Sequence, residues 1–415
     1  MQDLIVRHVL PVAQEMLSAF PGIIIEGARQ VGKSTLATVV APEARMANLD
    51  EDSVRSAAQA DPALLVTSDR TIIIDEIQRL PELTLAIKTS IDNDRRPGRF
   101  ILTGSSSLLK VKGLADSLVG RVGRLTLYGL SRGEIAGHMD DFASAALHLT
   151  KDDSAVVDFH TTTSRQDYAT MLETGSYPEV ITLTPRVRGL WYDSYLTGMV
   201  YRDLREQRTQ YDPERGLAVI RVLAGHPASE LVIAHLARDA RIPASSTAGY
   251  VDLFRSAGLV ASLPPWTPNL SKRESGRSKA FIIDSGLALR TVRITAPQLL
   301  EIENLESFGG FLEAMVDAEL LKQQTWSASE HEVFHFRDRD GWEVDCVLEL
   351  ASGGVIGIEV KASTTFKGDQ FNGLRRLRDS LGSRFIAGFV LNTGQVGYRY
   401  AERLYGLPIS ALWEL

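Results

Sequence analysis

Residues 27–34 read Gly27-Ala28-Arg29-Gln30-Val31-Gly32-Lys33-Ser34. This is G-x-x-x-x-G-K-S, the spacing of a loop that cradles nucleotide phosphates, and it requires a buried strand before it and a helix after it. Both are present. Ile23-Ile24-Ile25 reads as a buried strand, and Thr35 to Val40 reads as a helix. Gly27 and Gly32 let the backbone wrap so that N–H groups point at phosphate oxygens, and the helix N-terminus adds its positive end. Lys33 is expected to reach the β- and γ-phosphates, and Ser34 to place its hydroxyl on Mg²⁺. The expected ligands are therefore ATP and Mg²⁺, held by Gly27 through Thr35.

A second element fits the first. Thr71-Ile72-Ile73-Ile74-Asp75-Glu76 is an apolar run bounded by polar residues, as in a strand covered on both faces. Asp75 at its end is expected to hold the Mg²⁺ water shell, and Glu76 to polarise the attacking water.

The 415 residues suffice for about two or three domains. Hydrophobic content of 44% and charged content of 23% are those of an ordinary globular protein. No apolar run approaches the roughly 18 residues of a membrane span. The start, Met1 to His8, shows no basic stretch followed by an apolar core, so no secretion signal is expected. The single cysteine, Cys346, excludes an internal disulfide and suits a cytoplasmic location. The net charge of −7 argues against coating nucleic acid by bulk charge, though local basic patches are compatible with it.

The first third alternates strand-like and helix-like runs. Strands are expected at 45–49, 71–75, 99–103 and 124–127 besides 23–25. Such alternation gives an α/β core, a parallel sheet with helices on both faces and a ligand at the strand C-termini. Residues 131–212 read as helices and loops. From 229 to 254 the chain reads as helix, turn at Ile242-Pro243, and second helix, with Ser245 or Ser246 as its cap. A strand from Gly258 completes the order of a winged helix. A structural lid or oligomerisation module fits the same pattern. Residues 296–415 form a last α/β block.

That block holds a second cluster. Glu343 to Leu348 alternates as a strand, Ser352-Gly353-Gly354 turns the chain, and Val355 to Lys361 returns. Period-2 geometry puts Glu359 and Lys361 on one face, and a hairpin brings Asp345 opposite. Two carboxylates and a lysine on one sheet face is the arrangement of the PD-(D/E)xK nucleases, where carboxylates hold Mg²⁺ and the lysine activates water. Phe311 to Leu321 reads as an amphipathic helix, and Glu313 on it as a further metal ligand beside Asp345 and Glu359.

Taken together the chain resembles a prokaryotic family of AAA+ ATPases with an N-terminal ATPase core, a winged helix and a C-terminal restriction-endonuclease-like domain of unassigned function. The matching stretches are residues 27–34, Ile72 to Gln78, Leu102 to Ser106, Gly120 to Val122, Gly175 to Glu179, Tyr201 to Leu204, Lys279 to Leu287, Glu343 to Asp345 and Ile358 to Lys361. The resemblance implies an AAA+ core over 1–130, a helical lid or connector over 131–212, a winged helix over 213–295 and a nuclease-like domain over 296–415. It implies ATP hydrolysis at the interface of a homo-oligomer, such as a hexameric ring. Carried onto this chain, Thr103 is the sensor of the γ-phosphate, with Ser105 as the alternative. Arg121 is the arginine finger, with Arg124 and Arg202 as competitors.

Two basic runs are candidates for phosphate-backbone contact: Lys272, Arg273, Arg277, Lys279, Arg290 and Arg293, then Lys367, Arg375, Arg376, Arg378 and Arg384. Two functions fit these features. One is an ATPase that remodels DNA or another nucleic acid, with metal-dependent cleavage by the C-terminal site. The other is an ATP-gated switch or scaffold that docks a protein partner through a silent nuclease-like domain. Neither involves a membrane.

Overall fold

The computed structural model describes residues 4–104, 118–207, 211–268, 273, 276–338 and 340–415. The chain divides into two compact units. The first is residues 1–130 with the segment 255–258, and the second is residues 131–254 with 259–415.

The first unit is built on five strands: β1 (Gly22–Glu26), β2 (Arg45–Asn48), β3 (Ile72–Asp75), β4 (Phe100–Gly104) and β5 (Val122–Thr126). They form one parallel sheet in the order β2-β3-β4-β1-β5. Ile23 to Ile25 and Ile72 to Ile74 are buried throughout, as strands covered by helices on both faces must be. The helix Lys33–Val40 follows the phosphate loop directly, and Leu36, Ala37 and Val40 form its buried face. β4 pairs with both β1 and β3, so the end of β4 lies between the phosphate loop and Asp75.

The second unit begins with helices. Among the described residues, 131–207 contain no named strand, in keeping with the sequence. A three-stranded sheet follows, of β6 (Ser229–Glu230), β7 (Val260–Leu263) and β8 (Lys279–Ile282), in the order β6-β8-β7. The helices Pro213–Gly225, Ile233–Ala240 and Ala244–Ser256 accompany it. Neither Ser245 nor Ser246 caps the last helix, because it starts at Ala244. The Pro243 carbonyl instead accepts from the N–H groups of Ser246 and Thr247, at 3.0 and 3.1 Å.

The C-terminal sheet has six strands: β9 (His331–Arg337), β10 (Glu343–Leu350), β11 (Val355–Lys361), β12 (Phe385–Asn392), β13 (Tyr398–Ala401) and β14 (Leu404–Pro408). Their order is β13-β14-β12-β11-β10-β9. β9, β10 and β11 are antiparallel neighbours, whereas β11 pairs with β12 in parallel. The helix Asn372–Leu381 makes that crossover and buries Leu374 and Leu377. Gly353, at φ +83°, turns the β10–β11 hairpin, a conformation that favours glycine. Cys346 on β10 is buried.

The helix expected to be amphipathic is not. It spans Leu305–Gln323, and from Phe311 to Leu320 every residue but the partly exposed Glu313 is buried. Its polar residues Asp317 and Glu319 are among those buried, so ion pairing inside the fold takes the place of a solvated face. Among the described residues, no helix is long and apolar enough to cross a membrane.

Candidate functional site

The phosphate loop joins the end of β1 to the helix Lys33–Val40. A Cβ on Gly27 would lie 2.1 Å from the Leu127 carbonyl oxygen, so only glycine fits where the loop leaves the sheet. Gln30 and Gly32 have φ of +62° and +97°. These left-handed steps curl the loop and turn its amides inward. Arg7 fastens the loop from outside. Its guanidinium donates to the carbonyls of Val31 (2.9 Å) and Tyr128 (2.8 Å). Sequence reasoning missed Arg7, which lies far from any motif.

Lys33 is buried and donates to the Ala28 carbonyl at 2.8 Å, within its own loop. Burial pushes its ammonium below the ordinary lysine value, against the opposing charges of Glu76 and Asp75. Ser34 donates its hydroxyl to both Asp75 oxygens, at 2.8 and 2.9 Å. Thr103, at the end of β4, donates to the same carboxylate. Its Oγ1 also accepts from the Glu76 N–H at 3.3 Å. Glu76 is left-handed (φ +57°), and its carboxylate accepts from the Gln78 amide. The structure thus gathers Lys33, Ser34, Asp75, Glu76 and Thr103 in one place. Thr35 is exposed on the following helix. Ser105 lies outside the described residues.

A hydroxyl beside a carboxylate is a pair of hard oxygen donors, which fits Mg²⁺. The inward amides and Lys33 suit phosphate oxygens. The donor set therefore matches Mg²⁺ and a nucleoside triphosphate.

The three arginine candidates are all engaged. Arg121 forms a two-pronged pair with Asp92, at 2.7 and 3.0 Å. Arg124 pairs with the buried Glu26 across β1 and β5, at 2.9 and 3.2 Å. In the second unit, Arg202 pairs with Asp203 at 3.0 Å, on a π-helical turn.

The second cluster lies in the C-terminal sheet. β10 is irregular between Val344 and Val347, and this turns Asp345 out of its ladder with β9. An Asp345 carboxylate oxygen accepts from the Val360 N–H at 2.7 Å. Lys361 lies 2.6 Å from Glu359 and 4.0 Å from Asp345. Burial, then the Asp345 charge, pushes Glu359 up to about 8. Glu313 contacts Lys279 rather than Asp345 or Glu359. Among the described residues, no three His, Cys, Asp or Glu side chains are grouped to hold a metal ion. A cavity of about 520 Å³ opens on Lys279, Glu313 and Asp345.

Lys279 corrects the sequence reading of a phosphate-contacting surface lysine. It is buried among carboxylates. Other members of the basic runs are also tied internally. Arg273 and Arg384 hold Glu349, Arg290 and Arg293 hold Asp193, Arg376 holds Asp338, and Arg378 holds Asp379. Lys272 lies outside the described residues.

Two stretches quoted only for the resemblance meet in a buried junction. Asp284 accepts from the Ser176 N–H (2.6 Å), the Tyr192 hydroxyl (2.9 Å) and the Leu287 N–H (2.7 Å). Gly175, at φ +75°, would bring a Cβ to 2.0 Å from the Tyr192 oxygen.

Comparison with known proteins matches three stretches of the chain. Residues 19–136 match the AAA domain family. Residues 165–298 and 308–412 match two domains of unknown function, DUF8612 and DUF4143. The uncharacterized proteins Rv2008c of Mycobacterium tuberculosis and Mb2031c of Mycobacterium bovis are each 28% identical over 347 residues, 83% of this chain and 71% of the relative. Among solved structures, the Walker-type ATPase PABY2304 of Pyrococcus abyssi is 17% identical at a TM-score of 0.43, covering 71% of this chain and 97% of its own. AMPPCP-bound DnaA from Aquifex aeolicus is 12% identical at a TM-score of 0.28, covering 60% and 85%.

Proposed function

We propose that this chain hydrolyses Mg-ATP as a homo-oligomer and uses the cycle to act on a macromolecule bound by its second unit. The observation that carries the ATPase reading is the meeting of Ser34, Asp75 and Thr103 beside Lys33. In this reading Lys33 leaves the Ala28 carbonyl for the β- and γ-phosphates. Ser34 and Asp75 hold the Mg²⁺, whose charge offsets that of the phosphates when it is bound. Glu76 orients the attacking water, and Thr103 fixes Asp75 and reports on the γ-phosphate. Arg121 leaves Asp92 to reach a neighbouring subunit's nucleotide, a contact worth about 10³–10⁵ in rate where such fingers operate.

The segments are read as an ATPase core over 1–130, a helical connector over 131–212, a winged helix over 213–295 and a nuclease-like domain over 296–415. Three helices with a three-stranded sheet support the third. Helix, three antiparallel strands, helix and parallel strand, in that order, support the fourth. Nucleic acid is the first partner to test. The pairing of Arg273, Arg290, Arg376 and Arg384 with carboxylates favours the second reading, a nucleotide-gated switch that docks a protein.

The test is steady-state ATP turnover of the wild type and Lys33→Ala, with and without a panel of DNA and RNA structures. Equal rates in the two proteins would end the ATPase reading. Stimulation by one nucleic acid would select the remodelling reading, and flat turnover across the panel would select the switch.

A further inference from the structure

Lys279 begins β8 in the middle sheet of the second unit, yet its side chain ends among the acidic residues of the C-terminal fold. Its Nζ lies 2.7 Å from Glu313 Oε1, 2.6 Å from Asp317 Oδ2 and 2.6 Å from the Asp345 carbonyl oxygen. The ammonium donates to Glu313 and to the Asp345 carbonyl, and Asp317 faces it as an ion pair. The side chain is 4% exposed and that of Asp317 is 0% exposed. Asp317 lies one helical turn beyond Glu313, so both carboxylates approach the nitrogen from one face of the helix Leu305–Gln323. On the other side of Asp345, the Val360 N–H and Lys361 serve its carboxylate. Every acidic group of the centre therefore meets a cation or N–H donor supplied by the chain itself.

We propose that the Lys279 ammonium is the resident cation of this centre, standing where a nuclease of this arrangement would carry a divalent metal, and that the C-terminal sheet accordingly binds no such metal and cleaves no phosphodiester. Oxygens 2.6–2.7 Å from a nitrogen suit an ammonium. Mg²⁺ demands six oxygens at about 2.0–2.1 Å. A divalent ion entering here would also face the buried positive charge directly. Burial lowers the hold of Lys279 on its proton, but Asp317, then Glu313 and Asp345, keep it above the ordinary lysine value. The contact fastens β8 to the helix Leu305–Gln323 and to β10, so the centre serves as a joint between the middle and C-terminal sheets of one unit. The assignment is independent of the P-loop reading, because it concerns residues of the second unit alone.

The test is Mn²⁺ titration of the nucleotide-free full chain, followed by the paramagnetic resonance of the free ion. The wild type is expected to show no saturable site in the millimolar range beyond any that Ser34→Ala removes. Lys279→Met is expected to gain one, and Asp317→Asn in the same chain to abolish it. Lys279→Met should also melt roughly 10 °C lower, because it strands a fully buried carboxylate. The double variant should recover most of that loss. A stoichiometric wild-type Mn²⁺ site that Glu313→Gln removes and Ser34→Ala leaves intact would overturn the assignment. So would metal-dependent DNA cleavage that Glu359→Gln abolishes, or an unchanged melting temperature for Lys279→Met. Should Lys279→Met fail to fold, the wild-type titration and cleavage assays still decide.

Discussion

Ser34 donates its hydroxyl to both carboxylate oxygens of Asp75, at 2.8 and 2.9 Å, joining the first turn after the phosphate loop to the end of β3. Asp75 is also the acceptor for Thr103, so one carboxylate gathers two hydroxyls from different elements. The pair of oxygens that would receive Mg²⁺ is thus set before the ion arrives, and the cost of ordering them is met during folding.

Thr103→Val keeps the shape of the residue and removes its donor. A hydrogen bond to a charged group contributes about 1.5–3 kcal/mol. ATP turnover is expected to fall about 10–100-fold, with nucleotide affinity close to wild type. Single-turnover kinetics beside equilibrium binding of a fluorescent ATP analogue checks this. A loss confined to affinity would count against the sensor role.

Gly27→Ala places a methyl group on the Leu127 carbonyl oxygen. The loop must shift away from β5, disturbing the amides that meet phosphate. Loss of ATP binding with a lowered melting temperature is expected, measured by calorimetry and thermal scanning. Wild-type affinity would refute the close approach.

Arg121 and Arg124 separate by different readouts. Arg121 pairs with Asp92 at the surface, and such pairs contribute little to stability. Arg121→Ala should melt like the wild type and lose ATP turnover, and mixing it with Lys33→Ala subunits should restore part of the rate. Arg124→Ala leaves the buried Glu26 carboxylate without its partner, a loss of about 1–3 kcal/mol. It should appear first in the urea midpoint.

Glu359 gives a dependence on pH. An acid whose folded value exceeds its unfolded one keeps a proton that unfolding releases, so stability falls as pH rises between the two values. For Glu359 that window runs from 4.5 to about 8. Asp317, raised to about 6 by burial, adds to the slope at the acidic end. Urea midpoints followed by tryptophan fluorescence should decline across the window, and Glu359→Gln should flatten the decline. A midpoint that rises through the window would contradict the geometry.

Much of the first unit was legible in the sequence because its chemistry is local. The loop from Gly27 to Ser34 and the strand ending at Asp75 each carry their meaning in a few adjacent residues. Arg7 and Glu26 were not legible, because each acts on a partner distant in sequence and neither stands in a patterned run. Asp317 had a signal, its one-turn spacing from Glu313. Lys279 had a misleading one. It stands in a basic run that reads as surface, and only the tertiary fold brings it under the helix Leu305–Gln323. That helix in turn lacks a polar face because its charges are matched internally, which periodicity does not register.

Cys346 is the chain's one thiol, and it is sealed on β10 beside this lysine-filled centre. Burial raises its thiol well above the ordinary cysteine value. The thiolate that reacts with alkylating reagents is therefore nearly absent while the sheet is closed. The protein thus carries its own single-site clock. The rate at which a maleimide finds Cys346 records how often the C-terminal sheet opens, one event at a time, with no label to engineer and no second thiol to confuse the count.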